Sequence, residues 1–161
     1  MTPDEMKTRT RTFALRILRL VASLPRNRTG DVIGRQLLRA GTSVGANYRA
    51  ACRSRTDKDF LARMGIVEEE ADEVLYWLEL LAEADIVKGE RLADLQAEGN
   101  EILAMVVASI RTVKRRIGKG RKTRLKSPAV NPKSEIRNPK SEFGQSEIRN
   151  PKSELDQCRR K

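Results

Sequence analysis

Two pairs of carboxylates carry the spacing that chemistry would need. Glu70 and Glu73 fall inside a crowded acidic run with Glu68, Glu69 and Asp72, and Glu98 and Glu101 repeat the same three-residue interval. On a helix that interval puts both members of a pair on one face. Two such pairs converging from facing helices could hold magnesium through hard oxygen ligands and hydrolyse a nucleotide pyrophosphate. The second pair lacks the aspartate that this arrangement uses, so the acids are expected to pair instead with arginines of a neighbouring helix. No catalytic residue, metal ligand or cofactor is predicted, and the chain is read as a non-enzyme.

The rest of the composition narrows the chemistry further. There is no histidine. That excludes His-based acid/base catalysis, Ser–His and Cys–His nucleophile pairs, and the usual zinc and di-iron sites of helical bundles. Cys52 and Cys158 have no partner at metal-ligand spacing and read as free thiols in a reducing compartment. With no secretory signal and no apolar run long enough to cross a membrane, the expected location is the cytoplasm, without membrane contact.

The cations form the other candidate site. Arg35, Arg39, Arg49 and Arg53 fall on one helical face, with Thr42 and Ala46 between them. Arg111, Lys114, Arg115 and Arg116 form a basic helix end. Arginine makes bidentate contacts with phosphate, so these eight residues are candidates for contact with an RNA or DNA backbone. The competing reading is a solvated face, or ion pairs to the acidic helix. Aromatic residues make up 4% of the chain, which argues against base stacking and for recognition of backbone and shape.

Four helices must position these residues. The first spans about residues 4–24, with Phe13, Ile17, Leu20 and Leu24 on one apolar face, and Pro25 ends it. The second spans about 31–54, after a polar connector at 26–30. Ile33, Leu37, Ala40, Val44, Asn47 and Ala51 make its seam, and Gly34, Gly41 and Gly45 permit close approach to the third helix. The third starts at Thr56 or Asp57 and ends near residues 86–88, before Gly89. Its seam is Phe60, Met64, Val67, Ala71, Val74, Leu78 and Leu81. The fourth spans about 90–117 on Leu92, Leu95, Gly99, Ile102, Val106, Ser109, Val113 and Ile117, with Gly118 and Gly120 as its stop. No segment shows a strand pattern. The fold class is therefore all-α: an up-down-up-down antiparallel four-helix bundle over residues 1–118.

Residues 119–161 differ in character. They hold a net charge of +8, against +3 for residues 1–118. Asn-Pro-Lys-Ser-Glu recurs at 131–135, 138–142 and 150–154. A proline in every unit and few apolar residues predict a disordered, basic, low-complexity tail.

The segment Arg39-Ala-Gly-Thr-Ser-Val-Gly-Ala-Asn-Tyr48 resembles the signature of the four-helix-bundle proteins named after 23S rRNA intervening sequences, with Arg39, Ser43 and Asn47 as its motif residues. The resemblance extends over about residues 8–117. That family is similar to accessory proteins of diversity-generating retroelements, which are homopentameric bundles that bind nucleic acid and a reverse transcriptase through basic surfaces. The resemblance thus implies a homo-oligomer, a pentamer by analogy, with RNA or DNA and a reverse transcriptase or other protein as partners. In many members Ile-Ala-Glu-Gly follows the asparagine; here Tyr48-Arg-Ala-Ala-Cys52 stands there, without the acidic position.

Asn47 is expected to be hydrogen-bonded within the seam and to fix register. Ser43 is expected to bond to the carbonyl of Arg39 or to a neighbouring helix. Tyr76 and Trp77 read as core or interface, and Leu75 and Leu80, if outward, would add apolar surface for a subunit contact. The function expected is nucleic-acid binding without catalysis. A protein-interaction scaffold is the alternative, and a magnesium-dependent nucleotide pyrophosphatase a third.

Overall fold

The computed structural model describes residues 1–126, with side chains through residue 119. Residues 119–126, expected in the disordered tail, are helical, while the expectations for the rest of the tail, the repeats and Cys158 lie outside the described residues. Helix boundaries follow the local capping chemistry. Thr2 begins α1 (Pro3–Ala22) with a capping box: its hydroxyl accepts from the Glu5 amide, and the Glu5 carboxylate accepts from the Thr2 amide. Asn27 caps α2 (Arg28–Ala51) by accepting from the amide of Gly30 at 2.8 Å. Residues 28–30, expected in the connector, are therefore the first turn of α2. Thr56 caps α3 (Asp57–Glu83), as expected.

The end of α3 differs from the expectation. The helix stops at Glu83, and Asp85 takes a left-handed conformation with φ of 52°. The amides of Ile86 and Val87 then close onto the carbonyl of Leu81 at 3.1 Å. A short polar side chain tolerates that conformation, so Asp85 ends the helix and Gly89 is left to open the next one. α4 (Gly89–Lys126) in turn runs through Gly118 and Gly120. No glycine among the described residues has a positive φ, so neither adopts the conformation of a helix stop.

Five-residue connectors join the helices, so neighbours in sequence run antiparallel and pack side by side. α2 meets α1 and α3, and α3 meets α4, while α1 and α4 close the ring with fewer close backbone approaches. The diagonal pairs make none. This is the up-down-up-down bundle. Its core holds Phe13, Ile17, Leu37, Val44, Met64, Val67, Leu78, Leu81, Leu92, Ile102 and Val106. Met6 and Thr10 extend the α1 face toward the N-terminus; the Thr10 hydroxyl, fully buried, is satisfied by donation to the Met6 carbonyl. In α4 the core passes to Ile110, leaving Ile117 40% exposed, because the other helices end before the fourth does.

The glycines of α2 serve a different neighbour from the one expected. A Cβ at Gly34 would meet Val21 and Leu24, one at Gly41 would meet Ile17, and one at Gly45 would approach Thr10. All of these partners lie on α1 except Leu24, which lies in the connector just beyond it. The small residues thus bring α2 against α1, and the α2–α3 pairing rests on larger side chains. Gly99 does the corresponding work on α4, where a Cβ would lie 2.9 Å from Leu75. Leu75 is consequently buried rather than outward-facing.

Candidate nucleic-acid interface

The acidic pairs are not brought together. Arg39 of α2 reaches across to α3, donating to Glu70 Oε1 at 3.2 Å and Glu73 Oε2 at 2.5 Å. Glu73 Oε1 also accepts from the Trp77 indole at 3.1 Å. These donors hold the Glu73 carboxyl below its ordinary range, the indole first and the guanidinium second. On the α1–α4 side Arg9 makes the corresponding clamp. Its Nε and Nη2 grip Glu98 in a bidentate pair at 2.6 and 3.0 Å, and Nη2 also donates to Glu101. The Glu98 carboxyl is held low by Arg9. Each carboxylate pair is thus closed by one arginine, on a different pair of helices. Among the described residues no group of acids, cysteines or histidines is arranged to hold a metal.

The expectation that the acids pair with α2 holds for Arg39 alone. Arg35 and Arg49 are exposed on α2, and Arg53 is exposed in the turn after it; none makes an ion pair among the described residues. Of the basic helix end, Arg116 pairs with Asp57 at the start of α3. Arg111, Lys114 and Arg115 are exposed and make none. Arg39 and Arg116 are therefore committed inside the bundle, and six of the eight candidate phosphate contacts remain available.

The motif residues line α2 at one-turn intervals. Asn47 is half-buried, and its amide donates to the Ser43 carbonyl at 3.1 Å and the Ser43 hydroxyl at 2.9 Å. Both bonds stay within the helix. Asn47 does not tie one helix to another, and Ser43 receives a bond rather than reaching back to Arg39. The residue that bonds back is Thr42, to the carbonyls of Leu38 and Arg39. Of the three, Arg39 alone crosses to a neighbouring helix.

Arg9 is the residue of these clusters that sequence reasoning missed. Its partners lie 89 and 92 positions away, beyond any local pattern. The i, i+3 spacing of Glu98 and Glu101 is the available signal; it belongs to a guanidinium site, whose cation the spacing alone does not name. At the bundle end that carries both chain entry and the α2–α3 turn, an open concavity of about 560 Å³ is lined by Tyr48, Cys52, Ser54 and Arg55 among others. Burial pushes the Tyr48 phenol up to about 12, with Cys52 beside it adding to the shift. Cys52 is a free thiol.

A four-helix bundle whose second helix carries Arg39, Ser43 and Asn47 on successive turns, and whose fourth ends in cations, defines a class of helical proteins. The model of the 23S rRNA-intervening sequence protein family matches residues 5–108, and the chain belongs to that family. Among solved structures it is similar to a crystal structure of a protein with unknown function from the S23 ribosomal protein family of Bacteroides thetaiotaomicron. The two are 32% identical, with a TM-score of 0.65, over 69% of this chain and 99% of that one. A comparison with curated proteins gives no match. No helix among the described residues is long and apolar enough to cross a membrane.

Proposed function

We propose that this protein is a non-catalytic, oligomeric bundle of the cytoplasm that binds the phosphate backbone of RNA or DNA. The observation that carries this reading is the last part of α4. From Arg111 to Lys126 the helix holds nine lysines and arginines and no acid, and none of residues 111–119 is buried. Sixteen residues of helix extend about 24 Å, enough to follow several phosphates. Arg111, Lys114 and Arg115 are the contacts best placed on the described surface. Such binding is non-sequence-specific and driven by counterion release.

The test is the affinity of the full chain for a structured RNA and for duplex DNA across a salt series. The expected result is a log–log slope that falls by about two to three when Arg111, Lys114 and Arg115 are all changed to Gln. Binding that ignores salt, or a slope that the triple variant leaves unchanged, overturns it.

A protein-interaction scaffold is the second reading, favoured by Tyr76, which lies 53% exposed on α3. A reverse transcriptase is the partner class that the retroelement resemblance suggests. Capture of a defined protein partner after nuclease treatment, lost in Tyr76→Ala, supports it; no capture, with nucleic-acid binding intact, goes against it. The pyrophosphatase reading has less support, since Arg9 and Arg39 occupy the carboxylates it would use. Magnesium-dependent pyrophosphate release that Glu70→Gln abolishes would restore it.

A further inference from the structure

Two outward stripes of opposite charge run along α2 and α3. Arg35, Arg39, Thr42, Ala46, Arg49 and Arg53 follow intervals of four and three, and all are exposed. Glu69, Asp72, Tyr76, Glu79 and Glu83 follow intervals of three and four, and all are exposed as well. None of these four acids makes an ion pair among the described residues, nor do Arg35, Arg49 and Arg53. The stripes cannot satisfy each other within one chain. The acids that face α2 are Glu70 and Glu73, and they already hold Arg39.

We propose that the α2 stripe of one copy docks on the α3 stripe of the next. The inference rests on the oligomeric reading above and names the surfaces that make it. Charge complementarity selects a second copy of this chain as the occupant, because one molecule carries both halves with matching periodicity. The residues from Arg35 to Arg53 span about 27 Å and those from Glu69 to Glu83 about 21 Å, so the stripes overlap along most of their length. Neither stripe pairs with itself, since like charges would face each other. The contact therefore sets the α2 stripe of one copy on the α3 stripe of another, reciprocally in a two-fold pair or head to tail in a ring or filament.

Exposed ion pairs contribute little affinity, so the contact needs an apolar anchor. Tyr76 stands in the middle of the acidic stripe, and the small Thr42 and Ala46 stand in the middle of the basic one. The Tyr76 ring is held edge-on against Trp77, with centroids 5.1 Å apart, and the Trp77 indole is tied to Glu73, which Arg39 grips. Arg39 thus positions the aromatic pair while the other arginines reach outward. The charges set partner choice and orientation, and the ring fills the gap between them.

Charge reversal tests the pairing, with the mass of the full-length chain measured by sedimentation and helicity by circular dichroism. The first variant carries Arg35→Glu, Arg49→Glu and Arg53→Glu; the second carries Glu69→Arg, Asp72→Arg and Glu79→Arg. Each is expected to stay helical and to associate at least about tenfold more weakly than the parent. Mixed in equal amounts they are expected to reassemble in alternation, in which each reversed stripe meets its complement; a ring with an odd number of copies keeps one mismatched contact. Tyr76→Ala is expected to weaken association without abolishing helicity. A parent that assembles while both reversals leave its mass unchanged, or a mixture that stays monomeric, overturns the surfaces and leaves the oligomeric reading standing. A parent that is monomeric at every concentration overturns both.

Discussion

α1 has two neighbours and is held to them by opposite means. Toward α2 it meets glycines: Ile17 lies over Gly41, Val21 over Gly34, and the Thr10 backbone by Gly45. Toward α4 it makes fewer close approaches, and Arg9 spans that side to Glu98 and Glu101. Removing side chains lets backbones come together and gain dispersion contacts over a length of helix. Extending a long side chain instead bridges a side with fewer close approaches, adding a bidentate ion pair to the packing of Phe13 beside Gly99. One seam is intolerant of added volume, and the other of lost charge.

The largest effect is expected beside that seam, where the connector folds onto the first turn of α2, for Gly30→Ala. Its Cβ would lie 2.2 Å from the Pro25 carbonyl oxygen, a backbone atom that cannot rotate away. Unfolding by denaturant should show a loss of about 3 kcal/mol, at the upper end of overpacking costs. Gly41→Ala should lose less, about 1–2 kcal/mol, because the clash at 2.3 Å is with the Ile17 Cδ1 atom, although Cγ2 at 3.0 Å limits the relief. Gly65→Ala is the control. Nothing lies within 4 Å of that position, so the substitution should stabilise by about 1 kcal/mol through helix propensity. If Gly41→Ala behaves like Gly65→Ala, close approach is not what the α1–α2 seam depends on.

On the other seam, Arg9→Ala should cost about 1–2 kcal/mol, since the pair is bidentate and both side chains are 23% exposed. Arg39→Ala should cost less, because its side chain is 55% exposed. Equal losses would mean that the two clamps do the same work. Acid should act on both. The folded Glu73 and Glu98 titrate below their ordinary range, so their contribution is complete above the unfolded carboxylate value near 4.3. It is lost as pH falls through that value toward the lower folded ones. Thermal unfolding should therefore weaken below about pH 4.5, and Arg9→Ala should flatten that dependence. With no histidine in the chain, the curve should be nearly level between about pH 5.5 and 7.5.

Helix existence and the core faces were legible in the sequence because they are periodic: Phe13, Ile17, Leu37, Val44, Val67, Leu78 and Ile102 all fall where the spacing placed them. The boundaries that differed were set by single side chains. Asn27 takes an amide that composition assigned to a loop, and Asp85 adopts a conformation usually left to glycine. The direction in which the α2 glycines point was not legible, since they flank the seam and either neighbour could have met them. The cationic candidates were visible as a set, but not which of them the bundle had already claimed. Arg39 and Arg116 look no different in sequence from Arg35 and Arg115. The partner of Arg9 was hidden by distance along the chain.

The extension of α4 past Ile110 has a thermal consequence. There the helix loses its buried face, and Arg111 is followed one turn later by Lys114 and Arg115, so neighbouring side chains repel along the rod. Among the described residues its winding is consequently the part most responsive to counter-ions: a polyanion that neutralises those charges also tightens the coil. Added helical ellipticity on titration with heparin, greatest at low ionic strength, would be its optical signature.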